Sequence, residues 1–160
     1  MKNIRLLLVL AGCSLFGAAV YAHDKSAPLT DEQKAFLAQY EAVRAALAAD
    51  DLAAVKKSAV AVVTESKTPP KEPLTDEQKE RQGKFAANVK KIATADSLQT
   101  AREAFKALSK RAIHYAEGKE GYFVANCPMV DGGEGDWVQT SKKINNPYFG
   151  KQMLMCGSIK

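Results

Sequence analysis

The chain has 160 residues, with 23 Lys and Arg against 18 Asp and Glu, a formal net charge of +5. That length suits one domain. No basic block carries interleaved aromatics, so nucleic acid is not indicated as a partner, and two histidines are too few for most hydrolytic metal sites.

Residues 1–22 read as a secretory signal. Met1-Lys-Asn-Ile-Arg5 is short and basic, residues 6–20 carry no charge, and Val20-Tyr21-Ala22 offers small residues for cleavage. The apolar run is too short to span a bilayer comfortably, and nothing later is apolar enough. The expected mature domain is therefore 23–160, periplasmic and without a transmembrane segment. It would start at His23, where a free amine beside an imidazole can hold Cu(II). An alternative is a lipoprotein: Leu10-Ala-Gly-Cys13 matches a lipobox, with Cys13 as the acylated residue. The short distance from Arg5 and the apolar residues beyond Cys13 favour cleavage. Loss of Lys2 and Arg5 leaves 21 basic against 18 acidic residues, a net charge of +3.

Pro28-Leu-Thr-Asp-Glu-Gln-Lys34 recurs 45 residues later as Pro73-Leu-Thr-Asp-Glu-Gln-Lys79. Each copy is a helix start. Thr30 and Thr75 can cap, Gln33 and Gln78 stand three residues on as in a capping box, and the acids of the first turn suit the helix dipole. Phe36, Tyr40, Val43 and Leu47 follow the first start at helical spacing. Phe85, Val89 and Ile92 follow the second. Breaks at Asp50-Asp51-Leu52 and Asp96-Ser97-Leu98 offer Asp as the cap of a following helix. Beyond them run the stripes Leu52, Val55, Ala59, Val62 and Leu98, Ala101, Phe105, Leu108, Ala112, Tyr115. The spacing predicts helices over about 30–49, 51–64, 75–95 and 97–117. Residues 64–72, with Pro69-Pro70, form an extended linker. A glycine cap is expected at Gly118. The fold class that follows is all-α: an up-and-down four-helix bundle of two αα-hairpins, with an irregular segment, residues 121–157, packed on it.

That last segment has its own composition. Tyr122-Phe-Val124 suits a short strand. Cys127-Pro-Met129, the turn-rich Asp131-Gly-Gly-Glu-Gly135, Trp137, Ile144-Asn-Asn-Pro-Tyr-Phe-Gly150 and Met153-Leu-Met-Cys-Gly157 follow. Beyond residue 22 every cysteine and methionine lies here. Thiolate and thioether sulfurs are soft donors that select Cu(I). Cys127 and Met129 are two residues apart across a stiff proline, and Met153 and Cys156 share a face if their turn is helical. Met155 is then less well placed. His114, near the end of the fourth helix, is an additional candidate ligand; its competing reading is a helix-end histidine favoured by the dipole. The two cysteines suit a disulfide equally well, worth roughly 3–4 kcal/mol in the chain-entropy model, with the methionines filling gaps in a core. On residue types alone both readings stand, with the disulfide slightly favoured. An enzyme is not expected: there is no Cys-x-x-Cys at a helix start, no Ser/His/Asp set and no phosphate-binding glycine loop.

Cys127-Pro-Met129, Gly133-Glu-Gly-Asp-Trp137, Asn146-Pro-Tyr-Phe-Gly150, Met153 and Cys156-Gly157 together resemble the pattern of an uncharacterised, exported bacterial domain family, also found at the end of periplasmic adaptor subunits of copper/silver RND-type efflux systems. The resemblance spans residues 127–157; the helices before it fit only in being helical and of suitable length. It implies an association with heavy-metal handling, Cu(I) or silver as the ion, Cys127, Met129, Met153 and Cys156 as ligands, and a periplasmic metal-efflux component as a partner. It further implies that Trp137, Asn146, Pro147, Tyr148 and Phe149 set the shape of the segment. The chain lacks the long coiled-coil hairpin and barrel of an adaptor, so a free periplasmic metal binder that buffers or delivers the ion is the reading. The alternative is a non-metal interaction module stapled by a Cys127–Cys156 disulfide.

Overall fold

A computed structural model describes residues 27–65 and 73–160, with backbone alone at 63–65. The signal segment, Cys13, His23 and Pro69-Pro70 lie outside the described residues.

Four helices form: α1 (Asp31–Ala48), α2 (Leu52–Glu65), α3 (Asp76–Ala93) and α4 (Leu98–Ala116). Both duplicated starts build the capping box. Thr30 Oγ1 accepts from Gln33 N at 3.2 Å, while Gln33 Oε1 accepts from Thr30 N at 2.9 Å. Thr75 and Gln78 repeat this at 3.2 and 2.8 Å. The other two starts differ from each other. Asp51 Oδ1 accepts from Ala54 N at 2.9 Å and caps α2. At α4 the cap is Ser97, which accepts from Thr100 N. Asp96, the expected cap, instead accepts from the Thr100 hydroxyl. Gly118 ends α4 region with φ +78°, the left-handed conformation glycine adopts without penalty.

The four apolar stripes meet. Tyr40, Val43, Leu47, Val55, Ala59, Val62, Val89, Ile92, Ala101, Phe105, Leu108 and Ala112 are all buried in one core. Packing of α1 on α2 and α4, and of α3 on α2 and α4, closes the ring. Phe36 and Phe85 are half-buried at its rim, with ring centroids 6.0 Å apart.

The all-α expectation needs correction. The largely irregular segment after α4 contains a small three-stranded antiparallel sheet, whose first strand overlaps the one expected at Tyr122–Val124. Its strands are β1 (Phe123–Asn126), β2 (Asp136–Gln139) and β3 (Ser158–Ile159), in the order β2-β1-β3. Strands of four and two residues are too short for a period-two pattern to declare itself. The partner of β1 on its far side also comes from more than 30 residues along the chain, which local patterning does not see.

The sheet lies on α4 and touches α1. Val138 N on β2 points away from β1 and donates to Tyr40 Oη on α1 at 3.0 Å. A helix side chain thus covers a strand edge that would otherwise present a bare N–H. Ser109 Oγ lies between the Tyr40 and Tyr148 hydroxyls at 3.3 and 3.2 Å, and Tyr148 also donates to Asp136 O at 2.8 Å. Phe105 stacks on Tyr40 at 5.2 Å between centroids and meets Tyr148 at 5.9 Å; Trp137 meets Tyr148 edge-on. Helices and sheet share one core.

Candidate functional site: a cysteine pair at the end of the sheet

Cys127 follows β1 directly, and Cys156 precedes Gly157 and β3. The register pairs Asn126 with Ser158. One step further along the antiparallel ladder Cys127 comes opposite Gly157, so Cys156, the residue before that glycine, stands diagonal to Cys127. Their sulfurs stand 2.9 Å apart, both as thiols. Cys127 is 1 % exposed and Cys156 partly so.

Two glycines allow this approach. Cys127 N donates to Gly135 O at 3.0 Å, and a Cβ at Gly135 would collide with Cys127 O. Gly157 has φ +127°, and a Cβ there would lie 2.6 Å from Asn126 O and 2.9 Å from the Trp137 ring. The Cys-Gly pair is therefore a steric requirement: the chain after Cys156 runs against the Trp137 face.

Asn146 holds the Cys156 turn from beneath. It is fully buried. Its Nδ2 donates to Cys156 O at 2.9 Å, its Oδ1 accepts from Tyr148 N at 2.8 Å and Phe149 N at 3.3 Å, and its backbone N donates to Leu154 O at 2.8 Å. Gln139, also buried, takes Trp137 Nε1 and Asn145 N on its Oε1, at 3.0 and 3.2 Å. The residues expected to set the segment's shape do so: Trp137, Asn146, Pro147 and Tyr148 are buried and Phe149 half-buried.

The methionines surround the pair in sequence but differ in placement. Cys127 to Val130 is a turn closed by Val130 N donating to Cys127 O, with Met129 exposed at 58 %. Met153 to Cys156 is a turn closed at 2.9 Å, with Met153 half-buried and Met155 exposed at 72 %. His114 stands exposed on the side of α4 turned away from buried Ala112 and Ala116, its ring 5.7 Å from Tyr115. Among the described residues, no group of three or more His, Cys, Asp or Glu side chains gathers as a metal site. Among the described residues, the further soft donors next to the pair in sequence are the thioethers of Met129, Met153 and Met155. The hydrogen-bond contact with Cys127 raises the Cys156 thiol above its ordinary value, with desolvation and the charge of Cys127 adding to it.

Two arginines that periodicity did not single out fasten the segment to the helices. Arg102 on α4 donates to Pro147 O at 2.9 Å, to Leu47 O at 3.1 Å, and to Asp50. Arg44 on α1, 5 % exposed, donates to Asn145 O at 2.9 Å and pairs with Glu41. Asp50, in the α1–α2 turn, has φ +59° and does not cap α2. Its second oxygen accepts from Lys151 N at 2.9 Å. Burial would raise its carboxyl, but the Lys151 N–H and the Arg102 guanidinium outweigh that and hold it below the ordinary value. In the sequence Asp50-Asp51 reads only as a break with a cap; the pair itself, since Asp tolerates the left-handed conformation, was the signal available there.

No helix among the described residues is long and apolar enough to cross a membrane. The model of a family described as protein of unknown function (DUF3347) matches residues 36–121. No curated protein and no solved structure matches the chain. The matched stretch runs from Phe36 on α1 to the turn after α4, and so lies on the helices and stops ahead of Cys127. The resemblance drawn from the sequence rested on residues 127–157, outside that stretch. With more than half of its length matched, the chain belongs to the DUF3347 family of uncharacterised domains.

Proposed function

We propose that the protein is a periplasmic binder of a soft monovalent ion, Cu(I) or Ag(I), which it buffers or delivers in heavy-metal handling. The observation that carries the reading is the meeting of the two cysteines, 2.9 Å apart, with Met129 and Met153 each on a closed turn beside one of them. The donor set fits the ion: two thiolates and a thioether are what a soft cation selects. The spacing fits after a small opening. Metal–sulfur bonds of about 2.3 Å at a tetrahedral angle place two sulfurs roughly 3.8 Å apart. Cys156, partly exposed on its turn, is the side chain with room to move outward. The ion is cargo here, and the exposed thioethers of Met129 and Met155 are suited to passing it on. A periplasmic efflux component is the partner this reading supplies, on the motif of residues 127–157.

Titration of the reduced mature chain with Cu(I) against a chromogenic chelator tests the proposal. One ion bound per chain is expected, with Cys127→Ser combined with Cys156→Ser weakening it by about a hundredfold or more, beyond the roughly 10–100-fold that loss of an outer-shell partner costs. Binding that is absent, or unchanged in the double variant, rules it out.

The second reading is an interaction module in which the cysteines are a covalent staple. The same 2.9 Å serves it, because bonding distance lies within an ångström. A reduction-resistant bond in protein taken from the periplasm, with no metal, would support this one instead.

A further inference from the structure

We infer that Cys127 and Cys156 are a reversible dithiol/disulfide couple, and that its oxidation state gates loading of the soft ion. The gating half rests on the metal-binding reading; the couple itself does not.

The pairing of β1 with β3 sets Cys127 opposite Gly157 and so Cys156 diagonal to Cys127 just past the end of the ladder, the pair being held from three sides. Cys127 is fixed by its bond to Gly135, Gly157 is pressed on Asn126 and Trp137, and Asn146 grips the Cys156 carbonyl. A disulfide needs about 2.05 Å between sulfurs. From 2.9 Å, closure asks for less than an ångström of side-chain rotation and no change in the ladder. An ion asks for movement of similar size the other way. One pair of side chains thus stands between two outcomes that exclude each other, because a disulfide has no thiolate left to donate.

Access fixes the order of events. Cys127 is 1 % exposed, so a bulky oxidant does not reach it; Cys156 is partly exposed. The oxidant is a disulfide, either a small one such as oxidised glutathione or that of a thiol-oxidising protein. The Cys156 thiolate attacks it, its S–S bond breaks, one thiolate leaves, and a mixed disulfide forms on Cys156. Cys127 then attacks the Cys156 sulfur, the Cys127–Cys156 bond forms, and the second thiolate leaves. The protein has lost two protons and two electrons, and the oxidant has become two thiols.

The test uses the purified mature chain, equilibrated across mixtures of reduced and oxidised glutathione. Free thiols are then alkylated and counted by mass, and the cross-link is located by peptide mapping. Full and reversible conversion between a dithiol and an intramolecular Cys127–Cys156 bond is expected. No bond at any ratio, or bonds only between chains, overturns the couple. Freed of glutathione, each form is titrated with Cu(I) held by bicinchoninate. Binding by the reduced form at least about a hundredfold tighter than by the oxidised form supports gating; equal binding overturns it. A reversible bond with no Cu(I) taken by the reduced form rejects the metal reading and gating together, and leaves the couple standing. Oxidised glutathione on single variants tests the order. Cys127→Ser should trap an adduct on Cys156, and Cys156→Ser should react at Cys127 at least about tenfold more slowly, as burial dictates. Equal rates overturn that order.

Discussion

Asn146 shows how one side chain can organise a site without belonging to it. Its amide satisfies a buried carbonyl on the Cys156 turn and buried N–H groups of Tyr148 and Phe149 at once. Replacement by alanine strands these groups, each at about 1–3 kcal/mol. Asn146→Ala should therefore lower stability by about 3 kcal/mol or more in urea unfolding and raise the alkylation rate of Cys156. A variant with unchanged midpoint and unchanged alkylation would show that the turn holds itself. Asn-Pro-Tyr-Phe-Gly is legible as a motif in the sequence, but the reason for its asparagine is not. The carbonyl it serves is ten residues away and carries no sequence signature.

At the scale of elements, the contacts that matter join helix to sheet. The Tyr40 hydroxyl accepts the outward N–H of Val138, and burial pushes that hydroxyl's ionisation upward, so it stays neutral. Tyr40→Phe keeps the ring stack on Phe105 and removes the hydroxyl, with its acceptance from Val138 N and its contact with Ser109. A loss of about 1–3 kcal/mol is expected, the range for a buried donor left unpaired; no loss would mean that the β2 edge finds another partner. The Asp50 junction gives a pH signature. Its folded carboxyl lies below its unfolded value of about 3.9. The stabilisation is therefore complete above that value and disappears as pH falls through the lowered folded value. Asp50→Asn retains a residue that tolerates positive φ and removes the charge. The gap in stability between the native chain and the variant should be widest near neutral pH and narrow below about pH 4. A gap independent of pH would assign the effect of the substitution to something other than the Arg102 contact.

Across the whole molecule, one core runs from Leu37 and Val62 through Phe105 and Leu108 to Cys127, Trp137, Val138 and Tyr148. A contiguous core unfolds as a unit. Far-ultraviolet circular dichroism, which follows the helices, and the fluorescence of Trp137, the sole tryptophan and fully buried, should melt together. A Trp137 transition at lower temperature would make the sheet a separate unit, and would place the cysteine pair on a part of the chain that opens independently.

The helices were legible because everything that makes them is local. A threonine and a glutamine three residues apart satisfy the first turn, and apolar residues at spacings of three and four define a face. The same logic found Gly118, while the shape-setting role of Trp137 came from the resemblance. It reached Asp96 where serine does the capping, since both residues bond within one turn and their geometry separates them. It anticipated one short strand at Tyr122–Val124 but missed the pairing of β1 with β3, the two arginine fasteners and the role of Asp50, each of which joins residues more than 30 positions apart. For the cysteines the sequence by itself determined the donor chemistry: two thiols among three thioethers. That the two thiols meet at 2.9 Å was decided by the tertiary structure. The ladder of β1 and β3 sets their distance, and no pattern of neighbours along the chain encodes a register between strands so far apart.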